Sequence, residues 1–485
     1  MAEAASPLKL QVRSLLKRSP VTCSVKATIA EASRTMVTEG VGSVIVLDGD
    51  GRPVGIVTDR DLRERVLAAG LTPDRPVTAV MSAPVVTVSP EAFVFEALLE
   101  MTRRSIHHLA VMEAGRLLGV VSSHDLLILQ AAAPLEISRM IQSRTSLDEL
   151  EALMPRLTEV TRQLFEQRLS GYEIGRIVSE VNDSVIRRVL TFTERALRED
   201  GAGAPPVPFA WLVLGSEGRR EQTIRTDQDN ALVWEDPPPG YRETAERWFG
   251  AFAERVIAGL VRLGYPRCPA DAMASNPKWR QPLSVWRSYF GDWIRDTTPE
   301  HLTYSSIYLD FRPVAGEERL AETLRDEVRA QVRAWRSFPR YLAKIAVSDA
   351  PSLRLFGRFR LQRAEGRRGV NLKLGGILLL NNALRAYAIE LGLAETNTIE
   401  RLEAATRTGG CFTATEAEDV REAYETIFHL RLRHQLARLA AGERPDNLLD
   451  PATLSRSDQA RLREAFRAIR RLQGKIEDRY FTQAI

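Results

Sequence analysis

The hydrophobic positions of this chain fall into three patterns, each typical of a different kind of structure. Short unbroken apolar runs predict buried strands, and residues 209–214 form the clearest of them. Between residues 10 and 130, two stretches each read as strand, helix, strand, turn, strand and helix. From about residue 318 onward the apolar residues recur at helical spacing, as in Leu462, Phe466, Ile469, Leu472, Ile476 and Tyr480. We therefore predict α/β domains followed by an all-α C-terminal region.

The first quarter of the chain contains an internal repeat. The sequence GIVTDRDL at residues 55–62 reappears as GVVSSHDL at residues 119–126. Each copy places a hydroxyl residue three positions before an aspartate, as Thr58 with Asp61 and Ser122 with Asp125. Such a pair can cap a helix, or it can bind the phosphate and ribose of a nucleotide. The residues alone leave both roles open.

This repeat resembles a tandem CBS pair, also called a Bateman module. The resemblance implies that Thr58, Asp61, Ser122 and Asp125 bind an adenine nucleotide in the cleft between the repeats. It also implies that the pair contributes to a homodimer. Residues 134–200 follow as a predicted helical connector, which is either a lever between a sensor and a catalytic domain or plain core packing.

A second group of polar residues surrounds the strand at 209–214. Gly215 and Ser216 end this strand, and the polar residues 217–222 predict the start of a helix whose N–H groups face a phosphate. The next predicted strand carries Asp227 and Asp229, which point to the same face because they lie two residues apart. Two such carboxylates repel each other unless a cation lies between them. The spacing therefore predicts a site for Mg²⁺ or Mn²⁺.

A third carboxylate is predicted to complete this metal site. Residues 305–311 alternate as in a strand, and Asp310 is the single acid on it. The alternative is an edge-strand aspartate that pairs with the neighbouring Arg312.

The order of strand, Gly-Ser turn, helix and Asp-x-Asp resembles the nucleotidyltransferases of the DNA polymerase β superfamily. The motif GSEGRRE, followed by TDQD, is most similar to the branch of the PII-protein uridylyltransferase and the glutamine synthetase adenylyltransferase. It is closer still to bacterial nucleotidyltransferase-type proteins in which a CBS pair precedes this domain. In them a helical domain follows, here resembled by FGRF at 356–359, NLKLGG at 371–376 and RLRHQ at 431–435.

This resemblance implies transfer of a nucleoside monophosphate from an NTP to an acceptor, for which a protein is the family-level expectation. Asp227, Asp229 and Asp310 would then hold two metal ions. Gly215, Ser216 and Arg219 would bind the phosphates, with Arg219 also offsetting charge on the leaving pyrophosphate, and Lys373 would reach the triphosphate. The alternative is a non-catalytic regulator, in which the CBS pair senses adenine nucleotides for signalling and the second domain presents a surface.

Composition narrows the classes of partner and compartment. The 67 basic and 63 acidic residues leave a net charge of +4, which gives no indication of a nucleic-acid or membrane partner. Three widely spaced cysteines and no long apolar run favour a reduced, cytoplasmic protein. We predict four domains: the CBS pair at 10–133, the connector at 134–200, the nucleotidyltransferase domain at 201–317 and the helical domain at 318–485.

Overall fold

The computed structural model describes residues 7–128, 133–224, 227–364 and 366–482. Residues 129–132, at the predicted end of the CBS pair, and Thr226, beside Asp227, lie outside the described residues. The chain divides into two compact units, Met1–Gln142 and Ser143–Ile485, which are treated separately below. None of the described helices has the length and apolar character that a membrane span requires.

The first unit contains two copies of one small sheet. In each copy the first strand is parallel to the second, and the second is antiparallel to the third. The sheet orders are β1-β2-β3 and β4-β5-β6. The elements are β1 (Thr22–Ser24), α1 (Ile29–Glu39), β2 (Ser43–Leu47), β3 (Pro53–Thr58), α2 (Asp59–Asp61, continued by a π-type turn Leu62–Leu67), β4 (Thr87–Val88), α3 (Val94–Arg104), β5 (His108–Glu113), β6 (Arg116–Ser122), α4 (Ser123–Ile128) and α5 (Ala133–Ser143). The repeat seen in the sequence is therefore a structural repeat.

The second unit is built around a four-stranded sheet of order β10-β7-β8-β9. Every residue of β7 and β8 is buried, which is why their sequences are apolar without alternation. The elements up to this point are α6 (Leu147–Glu151), α7 (Met154–Glu166), α8 (Gly171–Glu199), β7 (Phe209–Val213), α9 (Gly215–Gly218), β8 (Asn230–Trp234), α10 (Arg242–Arg262), β9 (Arg280–Pro282), α11 (Leu283–Arg295), α12 (Pro299–Tyr308), β10 (Arg312–Gly316) and α13 (Glu318–Ala334).

The remainder of the second unit is mostly helical, as predicted. Its elements are α14 (Phe338–Ser348), β11 (Gln362–Ala364), β12 (Arg367–Asn371), a π-type turn (Lys373–Ile377), α15 (Leu378–Leu391), α16 (Thr398–Gly409), α17 (Ala414–Ala440), β13 (Leu448–Leu449) and α18 (Arg456–Tyr480). The predicted stripe on α18 is buried throughout. The small sheet β11-β12-β13 was not predicted, because its strands are only two to five residues long. The predicted α/β plus all-α fold class is confirmed.

One local prediction is wrong, and for one helix the structure favours one of the two roles that the sequence left open. Residues 305–308 belong to α12 rather than to a strand, because Thr298 caps this helix and Pro299 occupies its first turn. The helix that was assigned to a connector, α8, lies in the same compact unit as the β7–β8 strands and has buried polar residues along its length. Of the two roles considered for it, the structure supports core packing.

Candidate functional site

The turn after β7 holds the carboxylate of Asp229 close to the backbone. Gly215 has a φ of 53°, and a Cβ at this position would lie 2.9 Å from Asp229 Oδ2. Glycine is therefore required both by the conformation and by the close approach. The predicted helix at 217–222 is in fact the single turn α9, followed by Arg220 at a φ of 55°.

Asp227 and Asp229 precede β8 rather than lying within it, which corrects the predicted strand. An isolated bridge pairs Gln228 with Arg267, and the Gln228 side chain donates from Nε2 to the Tyr265 carbonyl. Burial raises the pKa of Asp229, and the negative charge of Asp227 raises it further. Asp229 thus lies within electrostatic range of Asp227, although the strand on which the two were predicted to share a face begins only after them.

Cys268 and Lys373 also act on the Asp229 carboxylate. A hydrogen bond with Cys268 and the charge of Lys373 lower the pKa of Asp229, against the effect of burial. Burial, followed by the charge of Asp229, raises the pKa of the Cys268 thiol to about 11. Cys268 was missed from the sequence, where a lone cysteine gives no signal of its neighbours.

A cavity of about 690 Å³ opens beside this turn. Asp227 lines it together with Lys373, Arg431 and Arg444, so one acidic side chain and three basic ones share the same walls. Burial and the charge of Arg431 lower the pKa of Lys373, while Asp229 and Asp227 act in the opposite direction. Burial also lowers the pKa of Arg431 to about 10. The structure therefore brings Lys373 to the aspartate pair and adds Arg431, which was not predicted as a site residue.

The aspartate pair fits one divalent cation. Burial and mutual repulsion both disfavour two negative charges here, and a cation relieves the repulsion. Mg²⁺ is commonly held by one or two carboxylates together with phosphate oxygens of a substrate. Within the described residues, however, there is no group of three or more His, Cys, Asp or Glu side chains that could hold a metal ion.

Asp310 does not join the aspartate pair. Its side chain is fully buried, and both of its oxygens accept hydrogen bonds from arginines. Arg219 Nη1 lies 2.7 Å from Oδ2, Arg385 donates at 3.1 Å to Oδ1 and at 2.6 Å to Oδ2, and Arg401 Nη2 lies 2.7 Å from Oδ1. Despite burial, these three charges hold the pKa of Asp310 well below its usual range. Four donated hydrogen bonds leave no open position for a metal ion, so the structure assigns Asp310 to an arginine cluster.

Arg219 is likewise enclosed rather than open to a phosphate. It is 6% exposed, and its Nε lies 2.9 Å from Glu221 Oε2 while Nη1 contacts Asp310. In this arrangement two donors of Arg219 are engaged by carboxylates, and its predicted role at pyrophosphate stays a prediction. Of the other predicted phosphate-binding residues, Gly215 and Ser216 are partly exposed in the turn.

Arg312 has a different partner from the one considered for it. It makes a two-point ion pair with Asp183 of α8, at 2.6 and 2.9 Å, and Nη2 donates to the Glu217 carbonyl at 3.2 Å. The proposed Asp310–Arg312 pair is therefore wrong. This ion pair instead fixes α8 beneath the turn that carries Gly215.

Glu217 supplies a prediction about pH. Burial, reinforced by the charge of Asp183, raises its pKa to about 8. A raised folded-state pKa gives stability that is complete below the unfolded value of ~4.3 and is lost as pH rises through 8. Glu217→Gln should therefore be more stable than the wild type at pH 8 by several kcal/mol, with the difference vanishing near pH 4. Urea unfolding from pH 4 to 8 measures this, and a difference that stays constant with pH would contradict it.

In the first unit, the structure shows both hydroxyl–aspartate pairs as helix caps. Thr58 Oγ1 donates to Asp61 Oδ2 at 2.7 Å, and Ser122 Oγ donates to Asp125 Oδ2 at 2.6 Å. Burial opposes the charge on Asp125, but hydrogen bonds from Ser122 and Lys17 keep its pKa below the usual value. His108 of the second repeat lies within electrostatic range of Asp61 and Asp125, so one histidine faces the carboxylates of both repeats.

Models of three known families match successive regions of the chain. Residues 12–68 and 77–131 match the CBS domain. Residues 155–300 match the family described as "Putative nucleotidyltransferase DUF294", and residues 336–480 match the "Putative nucleotidyltransferase substrate binding domain".

Curated relatives match about a quarter of the chain. An uncharacterised protein of Methanopyrus kandleri is 33% identical over 24% of this chain and 61% of its own length. A CBS domain-containing protein of Arabidopsis thaliana is 30% identical over 25% of this chain, and the matched region covers 23% of the length of that relative. The CBS domain-containing protein YhcV of Bacillus subtilis is 31% identical over 24% of this chain and 84% of its own length.

Solved structures match a similar share. A CBS domain protein from Pyrobaculum aerophilum, solved in complex with AMP, is 33% identical and covers 25% of this chain and 98% of its own, with a TM-score of 0.24. A conserved protein from Pyrococcus horikoshii is 29% identical, covers 25% of this chain and 93% of its own, and has a TM-score of 0.25. At 31% identity over 84% of the length of YhcV, the chain belongs to the CBS-domain proteins, and its CBS pair is followed by a nucleotidyltransferase-like domain and a helical C-terminal region.

Proposed function

We propose that this protein transfers a nucleoside monophosphate from an NTP to an acceptor in the cavity beside Asp227. One observation carries the proposal: the carboxylate of Asp227 and the cations Lys373 and Arg431 line a single cavity of about 690 Å³. A polyphosphate needs this combination, because basic groups offset its charge while carboxylates hold the cation that accompanies it. The family match at residues 155–300 supports the reaction class.

In this proposal each residue of the site has one role in binding the cation or the phosphates. Asp227 and Asp229 would hold the divalent cation, Mg²⁺ or Mn²⁺, which supplies charge stabilisation for the phosphoryl oxygens. Lys373 and Arg431, which line the same cavity as Asp227, bind and orient the triphosphate. Gly215 keeps the turn close to the Asp229 carboxylate, so that the bound phosphates can approach the backbone.

The acceptor is proposed to be a protein, as in the PII-modifying branch that the turn sequence resembles. Incubating the chain with each labelled NTP and a soluble extract should label one protein with one preferred nucleotide. Lys373→Gln should abolish the labelling, whereas Lys344→Gln, on α14 and outside the cavity lining, should retain it. Equal labelling by both variants would place the reaction elsewhere.

A non-catalytic regulator is the second candidate function. The arginine cluster around Asp310 favours it, because the predicted third carboxylate is not available to a metal ion. In this case the CBS pair senses an adenine nucleotide and the second unit presents a binding surface. Absence of label transfer with all four NTPs, together with nucleotide binding by the intact protein, would favour this function.

The CBS pair is proposed to bind an adenine nucleotide as effector and to contribute to a homodimer. Calorimetric titration of AMP, ADP and ATP into the full chain should show saturable binding, which Asp61→Asn weakens about tenfold by removing a charged acceptor for ribose hydroxyls. Glu31→Gln is the matched control, because Glu31 forms the equivalent capping box with Thr28 on α1. If both variants weaken binding equally, cap loss rather than ligand contact explains the effect.

A further inference from the structure

A second cavity, of about 650 Å³, lies in the C-terminal unit and shares no lining residue with the Asp227 cavity. It lies between α13 and the chain that links α15 to α16, and five arginines line it: Arg325, Arg329, Arg333, Arg336 and Arg401. Only two acids, Glu390 and Glu395, share these walls. Glu390 is already engaged by Arg479 and Tyr480. Arg401 is paired with Asp310 and Arg329 with Asp326, so the positive charge open to a ligand comes mainly from Arg325, Arg333 and Arg336.

The deepest of these arginines has an unused donor. Arg401 has a side chain that is 3% exposed; its Nη2 binds Asp310 and its Nε donates to the Glu395 carbonyl at 2.9 Å. Within the described residues, its Nη1 has no hydrogen-bond partner. This nitrogen is itself closed to solvent, so Arg401 contributes its charge to the cavity wall rather than a free donor.

The remaining walls define the size and character of a ligand. Arg333 and Arg336 are exposed at the surface, and no ion pair is found for either among the residues that the structure describes. Arg325 lies 5.4 Å from the centre of the Phe311 ring, and Val328 and Val332 add apolar surface. A volume of this size accommodates a small metabolite. Guanidinium groups match the geometry of phosphate oxygens.

We propose that this cavity is a second anion site, which binds a small phosphorylated molecule with an apolar or aromatic portion. The bound phosphate is held by the arginines that line the cavity from α13 and from the turn after it. The binding itself does not depend on the transfer reaction.

The test is calorimetric titration of the full chain with phenyl phosphate, inorganic phosphate and citrate. Phenyl phosphate should bind saturably and more tightly than inorganic phosphate, and both should bind more tightly than citrate. The double variant Arg333→Gln/Arg336→Gln should weaken phenyl phosphate binding at least about tenfold. Both side chains are exposed, so the melting temperature should not change.

Two controls locate the binding. Arg319→Gln, on the same helix but outside the cavity lining, should bind as the wild type does, and so should Lys373→Gln in the Asp227 cavity. No saturable binding at millimolar phenyl phosphate, unchanged binding by the double variant, or loss of binding in Lys373→Gln would each overturn the proposal. Tighter binding of citrate would overturn the assignment to phosphate.

Discussion

Replacing Asp227 or Asp229 by asparagine should abolish nucleotidyl transfer, with a loss on the order of 10²–10⁴ in rate. Each substitution keeps the size and shape of the side chain but removes one negative charge from an aspartate pair to which the described residues add no third metal-binding side chain. Because a Mg²⁺ site relies on few protein carboxylates, the loss of one should empty the site or displace the triphosphate.

The same variants should keep or gain stability in the absence of metal. Burial and the charge of Asp227 both raise the pKa of Asp229, so the ionised pair is already disfavoured in the folded protein. Removing one charge relieves that repulsion. The measurement pairs the transfer rate on Mg²⁺-NTP with the melting temperature, recorded with and without Mg²⁺.

Asp292→Asn is the matched control, because this residue lies on α11 in an exposed pair with Arg295 and should affect neither quantity. If both Asp227→Asn and Asp229→Asn transferred the nucleotide at the wild-type rate, the active site would not lie at this turn. A loss of several degrees in melting temperature without metal would instead make these aspartates structural, and would favour the regulator.

The turn and the aspartate pair were accessible from sequence because they depend on neighbouring residues. An apolar run, a Gly-Ser break and two aspartates two positions apart are local features, and the structure keeps all of them within one short segment. The residue at which β8 begins could not be predicted from the sequence. Its boundary depends on pairing with residues near Arg267, which are distant in the sequence.

The ion-pair partners of Asp310 could not be predicted from the local sequence. Its partners Arg385 and Arg401 come from α15 and α16, and the 3.6-residue pattern of those helices does not reveal which arginines turn inward. Most arginines on a helix face solvent, so the burial of these two reflects the tertiary structure. The alternation at residues 305–311 was outweighed by a capped, proline-started helix.

Asp310→Asn should therefore act on stability first. The carboxylate compensates three buried guanidinium groups, and removing one partner from a buried ion-pair cluster leaves uncompensated charge. The asparagine NH₂ would also face arginine donors in place of an acceptor oxygen. We expect a loss of about 3–5 kcal/mol in the free energy of unfolding at pH 7.

The pH dependence separates this role from a catalytic one. The arginines hold the pKa of Asp310 well below its usual range, so its contribution is present above the unfolded value of ~3.9 and is lost as pH falls further. The difference between wild type and Asp310→Asn should then be largest at neutral pH and shrink in acid. Urea unfolding at several pH values measures it, with Asp326→Asn, exposed beside Arg329, as the control. A variant that kept wild-type stability but lost transfer would contradict the structural role and would make Asp310 a metal ligand. Removal of a metal ligand does not leave three buried arginines unpaired, so it need not lower stability.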